Sequence, residues 1–70
     1  MSVLVSINGE RRQIPARATV ADVLALLDVP AGARGVAVAL EGEVVPRGAW
    51  ESTTVPDDAR LEVLAAIQGG

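Results

Sequence analysis

The stretch Thr19-Val20-Ala21-Asp22-Val23-Leu24-Ala25-Leu26-Leu27 decides the fold class. Val20, Val23, Leu24 and Leu27 fall at i, i+3, i+4 and i+7, which lines four apolar side chains along one face of a helix. Thr19 stands where an N-cap belongs, and Asp22, three residues on, suits the unpaired N–H groups and positive dipole end of a first turn. The pattern predicts a helix that ends near Asp28, before Val29-Pro30, with Pro30 and Gly32 marking the loop that follows.

Upstream of this helix the period changes from 3.6 to 2. Val3, Val5 and Ile7 alternate with Leu4 and Ser6 as in a strand with one more apolar face, and Asn8-Gly9 tolerates the positive φ angles of a type I′ turn. A second strand is therefore predicted to run back through Arg11 to Ile14, with Pro15 ending or edging it. Downstream, the continuous apolar run Val36-Ala37-Val38-Ala39-Leu40, bounded by Gly35 and Gly42, reads as a strand buried on both faces at the middle of a sheet. Glu41-Gly42-Glu43 turns the chain into Val44-Val45, and the less regular piece from Pro46 to Pro56 is expected to hold a short helical turn around Ala49-Trp50. From Arg60, Leu61, Val63, Ala65 and Ile67 lie on one side of a last strand and Glu62 on the other. The order predicts an α+β roll, a mixed sheet of about four to five strands packed on one main helix. Residues 1–66 are assigned to this domain and residues 67–70 to a flexible tail.

Composition narrows the function. Seventy residues hold one core, worth about 3–5 kcal/mol net, and with no Cys and no His the chain has neither a disulfide nor a zinc–thiolate site to reinforce it. The same two absences remove the thiolate nucleophile and the commonest general base, so an independent enzyme is not expected. Nine acidic residues against six arginines and no lysine give a net charge of −3, which points away from nucleic acid and toward an electropositive protein partner. Without lysine, only the N-terminal amine could accept an isopeptide-type conjugate. No run approaches the roughly 18 apolar residues of a membrane span, and no basic region followed by an apolar segment precedes the first strand. No membrane association and a cytoplasmic location are therefore expected.

The sequence closes on Gln68-Gly69-Gly70, directly after the last strand pattern. The residues from Ala66 to Gly70 would reach roughly 17 Å if extended, enough to enter the active site of a partner. Such an arm suits activation of its carboxylate as an acyl-adenylate, which a sulfur nucleophile then displaces. Glycine fits that step because, with no Cβ, the backbone can approach a phosphate closely and pass a narrow tunnel. An ordinary frayed terminus is the competing reading.

The segment Val36-Ala37-Val38-Ala39-Leu40, then Gly42, then Val45-Pro46-Arg47-x-x-Trp50, closing with Leu61-Glu62-Val63 and Gly69-Gly70, resembles the ThiS family, the sulfur carriers of thiamine thiazole biosynthesis. The resemblance implies a ubiquitin-like β-grasp fold with the first and last strands side by side. It also implies that Gly70 is adenylated by a ubiquitin-activating-like adenylyltransferase and converted to a thiocarboxylate, with Gln68 and Gly69 recognised as part of the tail. The sulfur would then pass to thiazole synthase; ATP is used by the activating partner, and the carrier itself binds no cofactor or metal. Two turns depart from the family pattern. Glu41-Gly42 stands where Asn-Gly is usual, and Asp57-Asp58-Ala59 where an Asp-Gly-Asp-like turn is usual.

The remaining candidates are read from the residues. Trp50, the only aromatic, reads as a large apolar plug for a core of Val, Leu and Ala. Arg47 is a candidate to pair with a partner's carboxylate, against the alternative of a solvated or locally bonded surface group. Asp57-Asp58 is read as a solvated loop pair with no assigned role. Leu4, Leu64 and Ala66 are left over once the inward faces are filled, and are expected to form an apolar patch on the open side of the sheet that docks first the adenylyltransferase and then the acceptor enzyme. Three other functions use a body like this one: the small, sulfur-carrying subunit of molybdopterin synthase, a ubiquitin-like modifier that forms amides with lysines, and a plain interaction module.

Overall fold

The computed structural model describes residues 1–30 and 34–65. The strands are β1 (Ser2–Ile7), β2 (Glu10–Pro15), β3 (Val36–Leu40), β4 (Glu43–Val44) and β5 (Arg60–Ala65); helix α1 (Val20–Leu26) lies between β2 and β3, and a 3-10 turn (Arg47–Ala49) between β4 and β5. They form one five-stranded sheet in the order β2-β1-β5-β3-β4. β1 and β5 are parallel neighbours and every other pair is antiparallel, so the last strand sits at the centre beside the first, as expected.

Local sequence explains each junction. Asn8 (φ 53°) and Gly9 (φ 85°) make the tight turn that pairs Ile7 with Glu10, and Pro15 is tolerated because β2 is an edge strand. At the start of α1 a capping box is closed: the Asp22 N–H donates to Thr19 Oγ1 at 3.2 Å and the Thr19 N–H donates to Asp22 Oδ2 at 3.0 Å. The next unpaired donors are taken by the irregular segment, Val20 N–H by the Thr53 carbonyl and Ala21 N–H by that of Trp50. The segment from Pro46 to Pro56 thus completes the helix start as well as bridging two strands. At the other end Asp28 adopts φ 62° while the Val29 N–H donates to the Leu24 carbonyl and the Asp28 N–H to that of Ala25, a Schellman closure with aspartate in the place glycine usually takes.

One core lies between α1 and one face of the sheet. Val20, Val23 and Leu24 from the helix meet Val5, Ile7, Ile14, Val38, Leu61 and Val63 from the strands, with Trp50 and Val55 brought in by the irregular segment. Among the described residues no charged side chain is buried, so this core is held by burial and shape, with the Trp50 indole N–H bond to the Val45 carbonyl as its buried side-chain hydrogen bond.

The reading of Val36–Leu40 as a strand buried on both faces is corrected. β3 lies fourth of five, Val38 is buried, and Ala37 is exposed because among the described residues no second layer covers the open side of the sheet. Alternation was concealed because the outward positions carry alanine, which counts as apolar in a run yet costs little to expose. In β5, Leu61 and Val63 point inward as expected, while Ala65 on the same side is exposed at the end of the strand. Ile67 and the boundary placed after residue 66 lie outside the described residues.

Candidate functional site

The last strand, β5, is held beside β1 by side chains that extend a short parallel ladder. β1 and β5 pair only as Ser6 with Arg60 and Ile7 with Leu61. At the lower end, the Leu4 N–H donates to Asp57 Oδ1 at 3.1 Å and the Asp58 N–H donates to the Leu4 carbonyl at 2.7 Å. At the upper end, where β1 has turned away, the Val63 N–H donates to Asn8 Oδ1 at 2.8 Å and Asn8 Nδ2 donates to the Val63 carbonyl at 3.0 Å. On the opposite edge, Glu41 brackets Arg60: its backbone N–H donates to the Arg60 carbonyl and its carboxylate accepts from the Arg60 N–H. Glu41 (φ 52°) and Gly42 (φ 84°) keep the same left-handed turn that Asn-Gly would form, so this departure from the family pattern changes the residues and preserves the bend.

Asp57 and Asp58 are not a free acid pair. Asp57 carries the ladder bond to Leu4, and Asp58 pairs with Arg11 at 3.1 Å, both partners well exposed. Among the described residues no group of three acidic side chains is arranged to hold a metal ion.

The outward positions of the five strands form the open face. Leu64 (70% exposed) and Val44 (77%) border a depression of about 200 Å³ whose lining includes Asn8, Ala37, Ala39 and Glu62. Pairing of Ala37 with Leu64 and Ala39 with both Glu62 and Val44 makes this a contiguous, mostly apolar surface. Leu4 lies on the same face but elsewhere: it precedes Ser6 by two residues while Leu64 follows Arg60 by four. Six positions along parallel strands put Leu4 and Leu64 roughly 20 Å apart, with Arg60 and Glu62 between them. Leu4 and Leu64 are thus two separate spots, and Ala37 and Val44 are the residues the structure adds beside Leu64. Ala37 was hidden by the reading of β3 as doubly buried, and Val44 by its place in a two-residue strand.

Arg47 belongs to the other side of the molecule. Its guanidinium lies over the Trp50 ring, 4.6 Å from the centroid, beside Leu24, Ala25 and Val29 of the helix region. Trp50 is buried and its indole Nε1 donates to the Val45 carbonyl at 2.8 Å, so Val-Pro-Arg-x-x-Trp is a structural unit: a carbonyl, a turn and the ring that closes on both. The predicted tail residues Gln68, Gly69 and Gly70, together with Ala66, lie outside the described residues.

A mixed sheet with parallel first and last strands at its centre, packed on one helix, defines a small ubiquitin-like β-grasp domain. A sequence profile of the ThiS family matches residues 5–70, and the chain belongs to that family. The crystal structure of a thiamine biosynthesis protein (ThiS) from Geobacter metallireducens superposes with a TM-score of 0.75 at 34% identity, covering 97% of this chain and 100% of the other. The NMR solution structure of a thiamine biosynthesis protein from Geobacter metallireducens gives 0.78 at 33% identity, covering 97% and 88%. A protein named thiazole synthase from Paramagnetospirillum magneticum is 41% identical over 64 residues, which is 91% of this chain and 19% of that protein. The chain therefore spans about a fifth of the length of that curated relative. The ThiS family consists of small sulfur carriers of thiamine biosynthesis rather than enzymes. Among the described residues, no helix is long and apolar enough to cross a membrane.

Proposed function

We propose that this chain carries sulfur as a thiocarboxylate on Gly70. The Gly70 carboxylate attacks the α-phosphate of ATP on a ubiquitin-activating-like adenylyltransferase, and pyrophosphate leaves. Hydrosulfide then attacks the acyl carbon, the bond to AMP breaks, AMP leaves, and the thiocarboxylate remains after loss of the sulfur-bound proton. Thiazole synthase takes that sulfur. The single observation that carries the reading is the ThiS match, which runs through residue 70 and so includes the Gly69-Gly70 pair. The thiazole synthase relative adds support: it holds a segment resembling this chain inside one longer polypeptide, and joining two functions in one chain raises their effective concentration for each other.

The carrier role gives the surfaces distinct tasks. Gly70 is a substrate presented to other enzymes, Gln68 and Gly69 are the portion a narrow active site would grip, and the apolar surface around Leu64 is the docking face for the adenylyltransferase and then the synthase. Leu4, on its separate spot, contributes at the margin, and Arg47, stacked on Trp50 at the helix side, lies away from this docking face.

The partner assignment is tested by offering the sulfur-loaded chain to two acceptors, thiazole synthase and the large subunit of molybdopterin synthase. Sulfur consumption with the first alone is expected. Consumption with the second alone would move the chain to the molybdopterin pathway, and amide-linked high-mass conjugates would make it a protein modifier.

A further inference from the structure

We propose that Asn8 is a positioning residue for the terminal arm, holding the end of β5 through its carboxamide where the main chain of β1 no longer can. The inference rests on the sulfur-carrier reading and adds to it the device that fixes where the arm begins. The odd-numbered residues of β5 and the turn before it direct their backbone groups toward β1: the Ala59 carbonyl accepts from the Ser6 N–H and the Leu61 carbonyl from the Asn8 N–H, each at 2.9 Å. Val63 is next in that series, and β1 has already left the sheet at Asn8, whose φ is 53°. β3 does not supply the missing partner, because Val38, opposite Val63, gives its carbonyl to the Val45 N–H on the far side. The Asn8 side chain fills the position of an absent strand residue, accepting from the Val63 N–H at 2.8 Å and donating to the Val63 carbonyl at 3.0 Å, in partly buried surroundings.

The chemistry of the residue matches both demands. Asparagine tolerates the left-handed backbone of the turn and carries an acceptor and a donor side by side. Aspartate keeps only the acceptor, and glycine keeps only the backbone freedom. Val63 lies two residues before the end of β5 and seven before Gly70. Held by Asn8 on one edge and by the neighbouring β3 pairs on the other, Val63 gives the seven residues that lead to Gly70 a fixed origin, which favours presentation of the carboxylate to an activating phosphate.

The test compares wild type, Asn8→Gly, Asn8→Asp and, as a control destabilised far from β5, Thr19→Ala. Amide hydrogen exchange at Val63, thermal midpoint, and steady-state adenylation with the cognate adenylyltransferase are measured on each full chain. Asn8→Gly is expected to speed exchange at Val63 and to lower kcat/KM by about tenfold, mainly through kcat. Asn8→Asp is expected to fall between, and Thr19→Ala to keep wild-type kinetics well below its midpoint. Wild-type kcat in Asn8→Gly despite faster Val63 exchange would overturn the proposal. So would an equal loss in Thr19→Ala, or a change confined to KM, which would assign Asn8 to the docking surface instead. Failure of the unmutated chain to be adenylated at all would refute the carrier reading itself, and this inference with it.

Discussion

Replacing Trp50 with phenylalanine separates what that residue does for the fold from what it could do for a partner. The indole N–H bond to the Val45 carbonyl, 2.8 Å long, lies in the core, and Trp50 is only 5% exposed. Phenylalanine leaves that carbonyl without its donor, at a cost of about 1–2 kcal/mol. The lost ring area removes roughly 1 kcal/mol more at about 25 cal/mol per Å². The Arg47 guanidinium, 4.6 Å above the ring, is exposed, so its weaker stacking on phenylalanine adds only a few tenths of a kcal/mol. The sum, about 2–3 kcal/mol, is a large part of the ~3–5 kcal/mol that a core of this size supplies. At about 4–8 °C per kcal/mol for a domain this small, the thermal midpoint should fall by about 10–20 °C. The measurement is a melt by far-UV circular dichroism, because the substitution removes the only fluorescent side chain. Adenylation well below the midpoint should proceed as in wild type. A drop of less than about 3 °C would refute the reasoning on packing, and loss of adenylation in a stable Trp50→Phe protein would make Trp50 a partner contact rather than a plug.

Three further perturbations probe other parts of the account. Thr19→Ala opens the capping box and should cost about 1 kcal/mol, read as a lower urea midpoint with unchanged slope; a midpoint equal to wild type would mean the cap contributes nothing. Leu64→Asp should leave the melt within a few degrees of wild type, since the side chain is 70% exposed, yet raise KM for adenylation about tenfold by placing an unpaired charge in an apolar interface. Leu4→Asp, roughly 20 Å away along the strands, should raise it by much less, and equal effects at both positions would contradict the division of the open face into two spots.

The sequence spoke most clearly where one residue type has one physical meaning. The 3.6 period of Val20, Val23, Leu24 and Leu27 and the pairing of Thr19 with Asp22 located the helix and its cap, and Asn8-Gly9 located the hairpin. The irregular stretch was legible only as irregular. That Thr53 and Trp50 lend their carbonyls to the first N–H groups of α1 depends on a long-range approach that no local pattern encodes. Alanine misled at Ala37 and Ala39, because it satisfies an apolar run while tolerating solvent. Alternation marks Leu4, Leu64 and Ala66 as the residues left over for an open face, but the separation of Leu4 from Leu64 is a matter of register between β1 and β5, which alternation alone does not fix. Asn8 and Asp57 were each read once, as a turn former and as a solvated acid. Their second roles, extending the β1–β5 ladder at its two ends, come from pairings 55 and 53 residues apart in the chain.

The central claim is that sulfur rides on the carboxyl carbon of Gly70. The direct measurement is intact and fragment mass after incubating a chain that ends at Gly70 with ATP, a sulfur source and the adenylyltransferase, alongside a version with residues appended after Gly70. The expected result is replacement of one oxygen by sulfur, located on the terminal glycine fragment, in the first protein and none in the second. No sulfur adduct, sulfur on any other residue, or loading of the extended protein without its being trimmed would contradict the account.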